Sequence, residues 1–214
     1  MEKKLAGAQL PLTKTLDPDD YLALAPWLAE VDAVGVGEQH THRRWEYAQA
    51  LRAWDTSGRT PVRGIPTTQR AYDVGGAGSP FYKMMATRAT TFVIDPKINS
   101  GIELSHEPRA AAVFAISTIE HVKDEEAFVQ ALDAHLLPGG MLFLTMDCWN
   151  QGDIDEAHFW WMRERIYTMT SWPLLGLALS NMGYEGLGLV DWNYRGDQVY
   201  NYSFASLAMQ KGRR

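Results

Sequence analysis

The 214-residue sequence predicts an α/β fold, a parallel sheet with helices on both faces. Three observations carry this. From residue 70 onward, short strand-like runs alternate with helical segments. "AAVFAIS" (111–117) is a continuous apolar run, the mark of a strand buried on both faces. "AYDVGGAGSPF" (71–81) crowds glycine and alanine into one turn between strand and helix. A backbone that bare lets a ligand approach the main chain closely.

Taken in order, residues 1–16 read as loosely structured. "DPDDYLALAPWLAEV" opens with a capping aspartate and predicts a short helix near 18–30. "THRRWEYAQALRAWD" sets Trp45, Ala48 and Leu51 on one side at helical spacing. Residues 56–70, rich in Gly, Pro and Thr, read as a loop. "AYDV" is a short strand, and "SPFYKMMATR" a helix with Ser79 as N-cap and Pro80 in its first turn. "TFVID" (91–95) is the second strand. "DEEAFVQALDAHL" (124–136) is a helix with acids in its first turn. "LPGGMLFLTMD" turns at Pro-Gly into another buried strand, 141–146. "DEAHFWWMRERIYTMT" (155–170) and "WPLLGLALSNMG" (172–183) read as helices. "LGLVDW" and "YNYSFASLAMQ" read as two closing strands.

Composition narrows the partners. A net charge of −6 makes nucleic acid a poor default partner, because phosphate binding needs concentrated Lys and Arg. "THRR" (41–44) is the best local basic patch. The single cysteine, Cys148, excludes an internal disulfide and fits a reducing compartment. No apolar run reaches the roughly 18 residues of a membrane span, and the N-terminus lacks the apolar region of a signal peptide. A cytoplasmic location is therefore expected.

The glycine turn has three possible uses. A P-loop needs Gly-Lys-Ser/Thr at its end, which is absent. A dinucleotide fingerprint needs a third glycine where Phe81 stands. S-adenosylmethionine (SAM) has no phosphate at the turn, and its cationic amino and sulfonium groups favour a carboxylate, which Asp73 supplies at the strand end. Asp95 ends the second strand and can accept hydrogen bonds from both ribose hydroxyls; alternatively it is a turn residue before Pro96.

"YDVGGAGSPF", "FVIDPKI", "VFAISTIEHV" and "LLPGGMLFLTMD" occur in the order that resembles the class I SAM-dependent methyltransferases, over about residues 70–147. "YSFASLAMQK" looks like that family's last, antiparallel strand. The resemblance implies a Rossmann-like sheet of order 3-2-1-4-5-7-6 with SAM across strands 1, 2 and 4. It implies that Asp73, Gly75, Gly76, Ala77 and Gly78 line the methionine end of SAM, that Asp95 binds ribose, and that Ser117 faces the methionine portion or the methyl group. Ala77 and Ser79 replace family glycines, and alanine fits only at negative φ. Residues 96–112 are too few for two crossovers, so the family's strand 3 is expected to be rudimentary or missing. Its adenine-side acid would then be absent or replaced by Glu103 or Glu107.

The resemblance also frames the acceptor. The DNA amino-methyltransferase motif after strand 4 is absent, and Cys148 does not follow the proline that cytosine C5 enzymes need. His121, which Glu120 could orient, and Asp147 at the end of strand 5 are the candidate bases. Asp147 could equally cap the next turn, and His121 could simply start a helix. His158 is a weaker candidate. Trp149, Trp160, Trp161 and Trp172 suggest an aromatic acceptor pocket or core packing. Arg44, Trp45 and Tyr47 could form a lid, or Trp45 could equally be a core anchor. The expectation is one domain (1–214) with an N-terminal helical cap (1–60) and a helical insertion on the acceptor side (148–183). It is a cytoplasmic methyltransferase converting SAM to S-adenosyl-L-homocysteine, without a metal, and methylating a small molecule or saccharide at oxygen. No nucleic-acid or membrane partner is expected, and self-association is left open. The alternative is a non-catalytic SAM-fold module for binding or assembly.

Overall fold

The computed structural model describes residues 11–35, 41–58, 69–95, 108–149, 167–193 and 202–213. The strands are β1 (Lys14–Thr15), β2 (Arg70–Val74), β3 (Thr90–Ile94), β4 (Ala110–Ile116), β5 (Leu136–Trp149), β6 (Tyr167–Thr168), β7 (Tyr184–Gly186) and β8 (Tyr202–Lys211). The helices are α1 (Asp20–Ala23), α2 (Ala25–Val34), α3 (Thr41–Thr56), α4 (Phe81–Met85), α5 (Glu125–Ala134) and α6 (Ser171–Asn181). A 3₁₀ turn covers Ile119–His121.

Among the described residues the sheet runs β1-β8-β5-β4-β2-β3, with β6 paired to β5 and β7 to β8. β3, β2, β4 and β5 are mutually parallel, and β8 is antiparallel to β5. This is the predicted α/β sheet with its antiparallel late strand. β3 is the described edge; the expected site of a vestigial third strand, "GIEL" (101–104), lies outside the described residues, as do Glu103 and Glu107. After β2 the chain adds β3 on one side and β4 on the other. That reversal opens a crevice at the C-terminal strand ends, where open α/β sheets bind ligands.

β4 shows why both faces are covered. Ala112, Phe114 and Ile116 join one core, while Val113 and Ala115 join the other, as the two-residue period of a strand dictates. The first core lies under α2, α3 and α4. Phe114 is its centre, with ring centroids 4.9 Å from Phe81, 6.1 Å from Phe143 and 6.4 Å from Trp54. The second lies under α5 and α6 through Val129, Leu132, Trp172, Leu175 and Leu179. No helix among the described residues is long and apolar enough to cross a membrane.

Four local expectations are corrected. Residues 11–16 are not loose: Leu12 to Leu16 are mostly buried, and β1 pairs with β8. The helix expected over 18–30 is two helices meeting at Leu24, since Pro26 fits a first helical turn and not an interior. Tyr167 and Thr168 are a strand, not helix, because they extend the edge beside Cys148 and Trp149. The strand expected at 187–192 forms at 184–186 instead. Gly188, at φ +75, interrupts the later stretch, where only Val190 bridges to Thr13.

Candidate functional site

The polar cleft sits at the crevice. Its floor is the turn after β2, from Gly75 to Pro80, with Asp73 behind it. Its walls are Ile116 and Ser117 at the end of β4 and Arg43 and Tyr47 on α3, and it holds about 470 Å³. That volume is within the range of small-ligand sites.

Asp73, the next-to-last residue of β2, is 1% exposed, and its Oδ2 has no hydrogen-bond partner. Burial, and then the neighbouring Asp95, push its carboxyl up to about 7, with Arg43 opposing. The turn beside it has no room for a side chain at Gly75 or Gly76. A Cβ on Gly76 would fall 2.3 Å from Asp73 Oδ2, and one on Gly75, at φ +79, would fall 2.4 Å from Thr118 Oγ1. Gly78 is also left-handed, at φ +79, while Ala77 is not. The condition set by alanine at 77 is met. The turn is anchored from below: Gly75 N–H donates to Ile94 O at 2.7 Å, and Ala77 N–H donates to Asp95 Oδ2 at 2.9 Å. Asp95, expected at a ribose, thus holds the turn's backbone with one carboxylate oxygen.

Ser117 is the one non-glycine residue with positive φ among those described, at +42. Such backbone persists only where its surroundings hold it. Here its N–H reaches Thr145 Oγ1 at 3.0 Å, and its Oγ donates to Glu46 Oε1 at 2.6 Å. Thr145 Oγ1 donates to the same Glu46 oxygen at 2.5 Å. Glu46 lies fully buried in α3, with Arg43 Nη1 3.3 Å from its Oε2.

The structure therefore gathers Asp73, Gly75, Gly76, Ala77, Gly78 and Ser117 around one cleft, with Asp95 directly beneath. Asp147 is buried two residues before the end of β5. His121 is exposed, whereas its neighbour Glu120 is 1% exposed. Of the expected lid only Tyr47 lines the cleft, with Arg43 beside it in place of Arg44. Arg44 pairs with Asp32 at 2.6 Å on the surface, and Trp45 is core, donating from Nε1 to Asp20 Oδ2 at 2.9 Å. Trp172 is also core. His158, Trp160 and Trp161 lie outside the described residues. Glu46, Arg43 and Thr145 were not singled out from the sequence. The available signal was a charged residue, Glu46, between Trp45 and Tyr47 in a helix dense with core residues.

Comparison with family models finds no match, and none of the curated proteins matches. Solved structures do. N-methyltransferase NodS from Bradyrhizobium japonicum WM9, solved with S-adenosyl-L-homocysteine, is similar at TM-score 0.52 and 13% identity over 89% of this chain and 97% of that one. The fold is that of the class I SAM-dependent methyltransferases. The [4+2]-cyclase SpnF is similar at TM-score 0.50 and 16% identity, covering 91% of this chain and 95% of that one. The chain spans only 50% of the length of Haemonchus contortus phosphoethanolamine N-methyltransferase 2, covering 70% of itself, at 13% identity and TM-score 0.47. Within this fold the glycine turn, Asp73 and Ser117 occupy the sheet's ligand crevice.

Proposed function

We propose that the chain is a methyltransferase that takes its methyl group from SAM, releases S-adenosyl-L-homocysteine and acts on a small-molecule or saccharide acceptor, with oxygen as the atom first expected. One observation carries the reading. A buried carboxylate with an orphaned oxygen, Asp73 Oδ2, adjoins a glycine cradle that a single Cβ would fill. A cationic ligand fits that cradle, because it supplies the charge and the donors that Asp73 lacks.

When bound, SAM supplies an electrophilic methyl group on a cationic sulfur. Asp73 is proposed to take its amino group, and Arg43 its carboxylate. Gly75, Gly76, Ala77 and Gly78 present backbone to the same end. Ser117 holds the methionine side through the geometry that Glu46 and Thr145 impose on it. Asp95 is proposed to meet the ribose. Asp147 and His121 are the proposed acceptors of the substrate proton. Buried Cys148, its thiol pushed up to about 12 by burial and by Asp147, is not a reactive nucleophile.

The NodS structure, with S-adenosyl-L-homocysteine in the crystal, supports the cofactor assignment for the fold. SpnF, a cyclase of similar fold, is the reason to test a non-methylating alternative. Isothermal titration with SAM and S-adenosyl-L-homocysteine separates a cofactor-binding enzyme from a module without cofactor. Binding of both at micromolar concentration is expected. No heat and no thermal shift at millimolar ligand would return the chain to a binding or assembly module.

A further inference from the structure

The end of β4 and the first turns of α3 meet at one carboxylate, Glu46, whose role there rests on the cofactor reading just given. Glu46 is fully buried, and its two oxygens serve different elements. Oε1 accepts from Ser117 Oγ at 2.6 Å and from Thr145 Oγ1 at 2.5 Å. Thr145 Oγ1 itself accepts the Ser117 N–H at 3.0 Å, so its own proton is committed to Glu46. Oε2 has no hydrogen-bond partner of good geometry, and its counter-charge is Arg43 Nη1, 3.3 Å away. A buried charge without a partner is costly, so this oxygen keeps the guanidinium near it. The same Nη1 lies 3.4 Å from Ile116 O at the end of β4. A guanidinium is a rigid planar fork of five N–H donors. Fastening Nη1 to Glu46 and to the β4 backbone leaves its other donors for the cleft that Arg43 lines. Asp73 lines the same cleft and is opposite in sign. A guanidinium free to swing would pair with Asp73, and the two charges would cancel. Held by Glu46, it stays on the Ser117 side, and the cleft keeps a positive and a negative group apart.

We propose that Glu46 is a positioning residue that makes the cleft selective for a carboxylate on its adenosyl ligand, by holding Arg43 against the end of β4. It touches no ligand and acts through Arg43. Its hold on Ser117 is a separate task, carried by its other oxygen. Glu46→Gln splits the two. Ser117 and Thr145 both donate, so the amide oxygen takes the place of Oε1. The amide nitrogen, a donor, then faces the N–H groups of Arg43. The strand end stays pinned while the guanidinium is released.

The test is calorimetry on the full chain with two probes, S-adenosyl-L-homocysteine and S-adenosyl-3-thiopropylamine, the same molecule without its carboxylate. The unaltered chain is expected to bind the first at least about tenfold tighter. Glu46→Gln is expected to lose about tenfold in affinity for the first and to stay within about twofold for the second. Thr145→Val removes a hydroxyl on the Ser117 side and leaves Arg43 paired, so it should weaken both probes by the same factor. A crystal structure of the unaltered chain with S-adenosyl-L-homocysteine gives a check that needs no variant. Arg43 Nη1 is expected to stay within about 4 Å of Glu46 Oε2 while another of its nitrogens meets the ligand carboxylate. A parallel loss of both probes in Glu46→Gln overturns the proposal, since that marks a merely structural role. Full selectivity in Glu46→Gln overturns it too, as does lost selectivity in Thr145→Val or a guanidinium that leaves Glu46 to reach the ligand. Where Glu46→Gln does not fold, the crystal structure decides. If the unaltered chain binds both probes equally, the proposal for Glu46 alone falls; if it binds neither, the cofactor reading falls first.

Discussion

Asp73, near the end of its strand, carries a carboxyl group that the fold keeps from water and whose Oδ2 has no donor. Its pKa of about 7 stands above the ordinary aspartate value of 3.8 because of burial first and Asp95 second. A raised carboxyl pKa means that the folded chain holds the proton more tightly than the unfolded one. Its contribution to stability is therefore present in full below about pH 4 and lost as pH climbs through about 7. A cationic ligand reverses the preference, since it favours the ionised carboxylate. Cofactor affinity should accordingly rise with pH between about 6 and 8, with proton release on binding near pH 6, visible by calorimetry in buffers of different ionisation enthalpy. Asp73→Asn should weaken binding by about 10- to 100-fold, as expected for loss of a charged hydrogen-bond partner, and remove the pH dependence. Gly76→Ala tests the cradle. Its methyl group would collide with Asp73 Oδ2, so S-adenosyl-L-homocysteine binding should fall at least about tenfold while the far-UV circular dichroism stays unchanged.

Helix ends and strand ends place those residues, and they do so by different means. α5 starts with a side-chain cap: Asp124 accepts from Ala127 N–H at 2.9 Å. Asp124→Ala should cost about 1 kcal/mol in urea unfolding and leave cofactor binding untouched, because α5 covers the face opposite α3 and α4. α4 starts differently. Ser79 Oγ accepts from Phe81 N–H at 3.1 Å and lies 3.0 Å from Tyr47 Oη, so the start of this short helix is tied to α3. Strand character was readable wherever both sheet faces are apolar, as in β4. It was misread where pairing, rather than pattern, makes the strand. Tyr167 and Thr168 follow a helix-like stretch, yet they are extended because β5 runs on to Trp149 and offers them an edge. β1 is only two residues long, and its stability comes from β8, about 190 residues away in sequence.

Across the whole molecule the N-terminal segment is the fastening of α3 to the sheet. Lys14 of β1 donates to Asp20 Oδ1 at 2.5 Å, and Asp20 Oδ2 accepts from Trp45 Nε1 at 2.9 Å. Asp20→Asn would leave the buried Lys14 ammonium without its counter-charge and should cost about 3–5 kcal/mol, measured by urea denaturation. Because α3 also carries Arg43, Glu46 and Tyr47, the same variant should weaken S-adenosyl-L-homocysteine binding in the fraction that remains folded. The amino-acid order by itself determined the alternation of strands and helices and the corner of Asp73 and glycines. Each of these rests on local patterning: apolar runs, turn chemistry, and a carboxylate placed just ahead of a bare turn. Only the tertiary structure decided that Arg43 and not Arg44 faces the cleft, that Ser117 is held left-handed by Glu46 and Thr145, and that Glu120 rather than His121 is buried. Those facts depend on which face of α3 meets the sheet and on contacts between residues 71 and 99 positions apart. No local pattern encodes such distances, because packing of the whole core sets them.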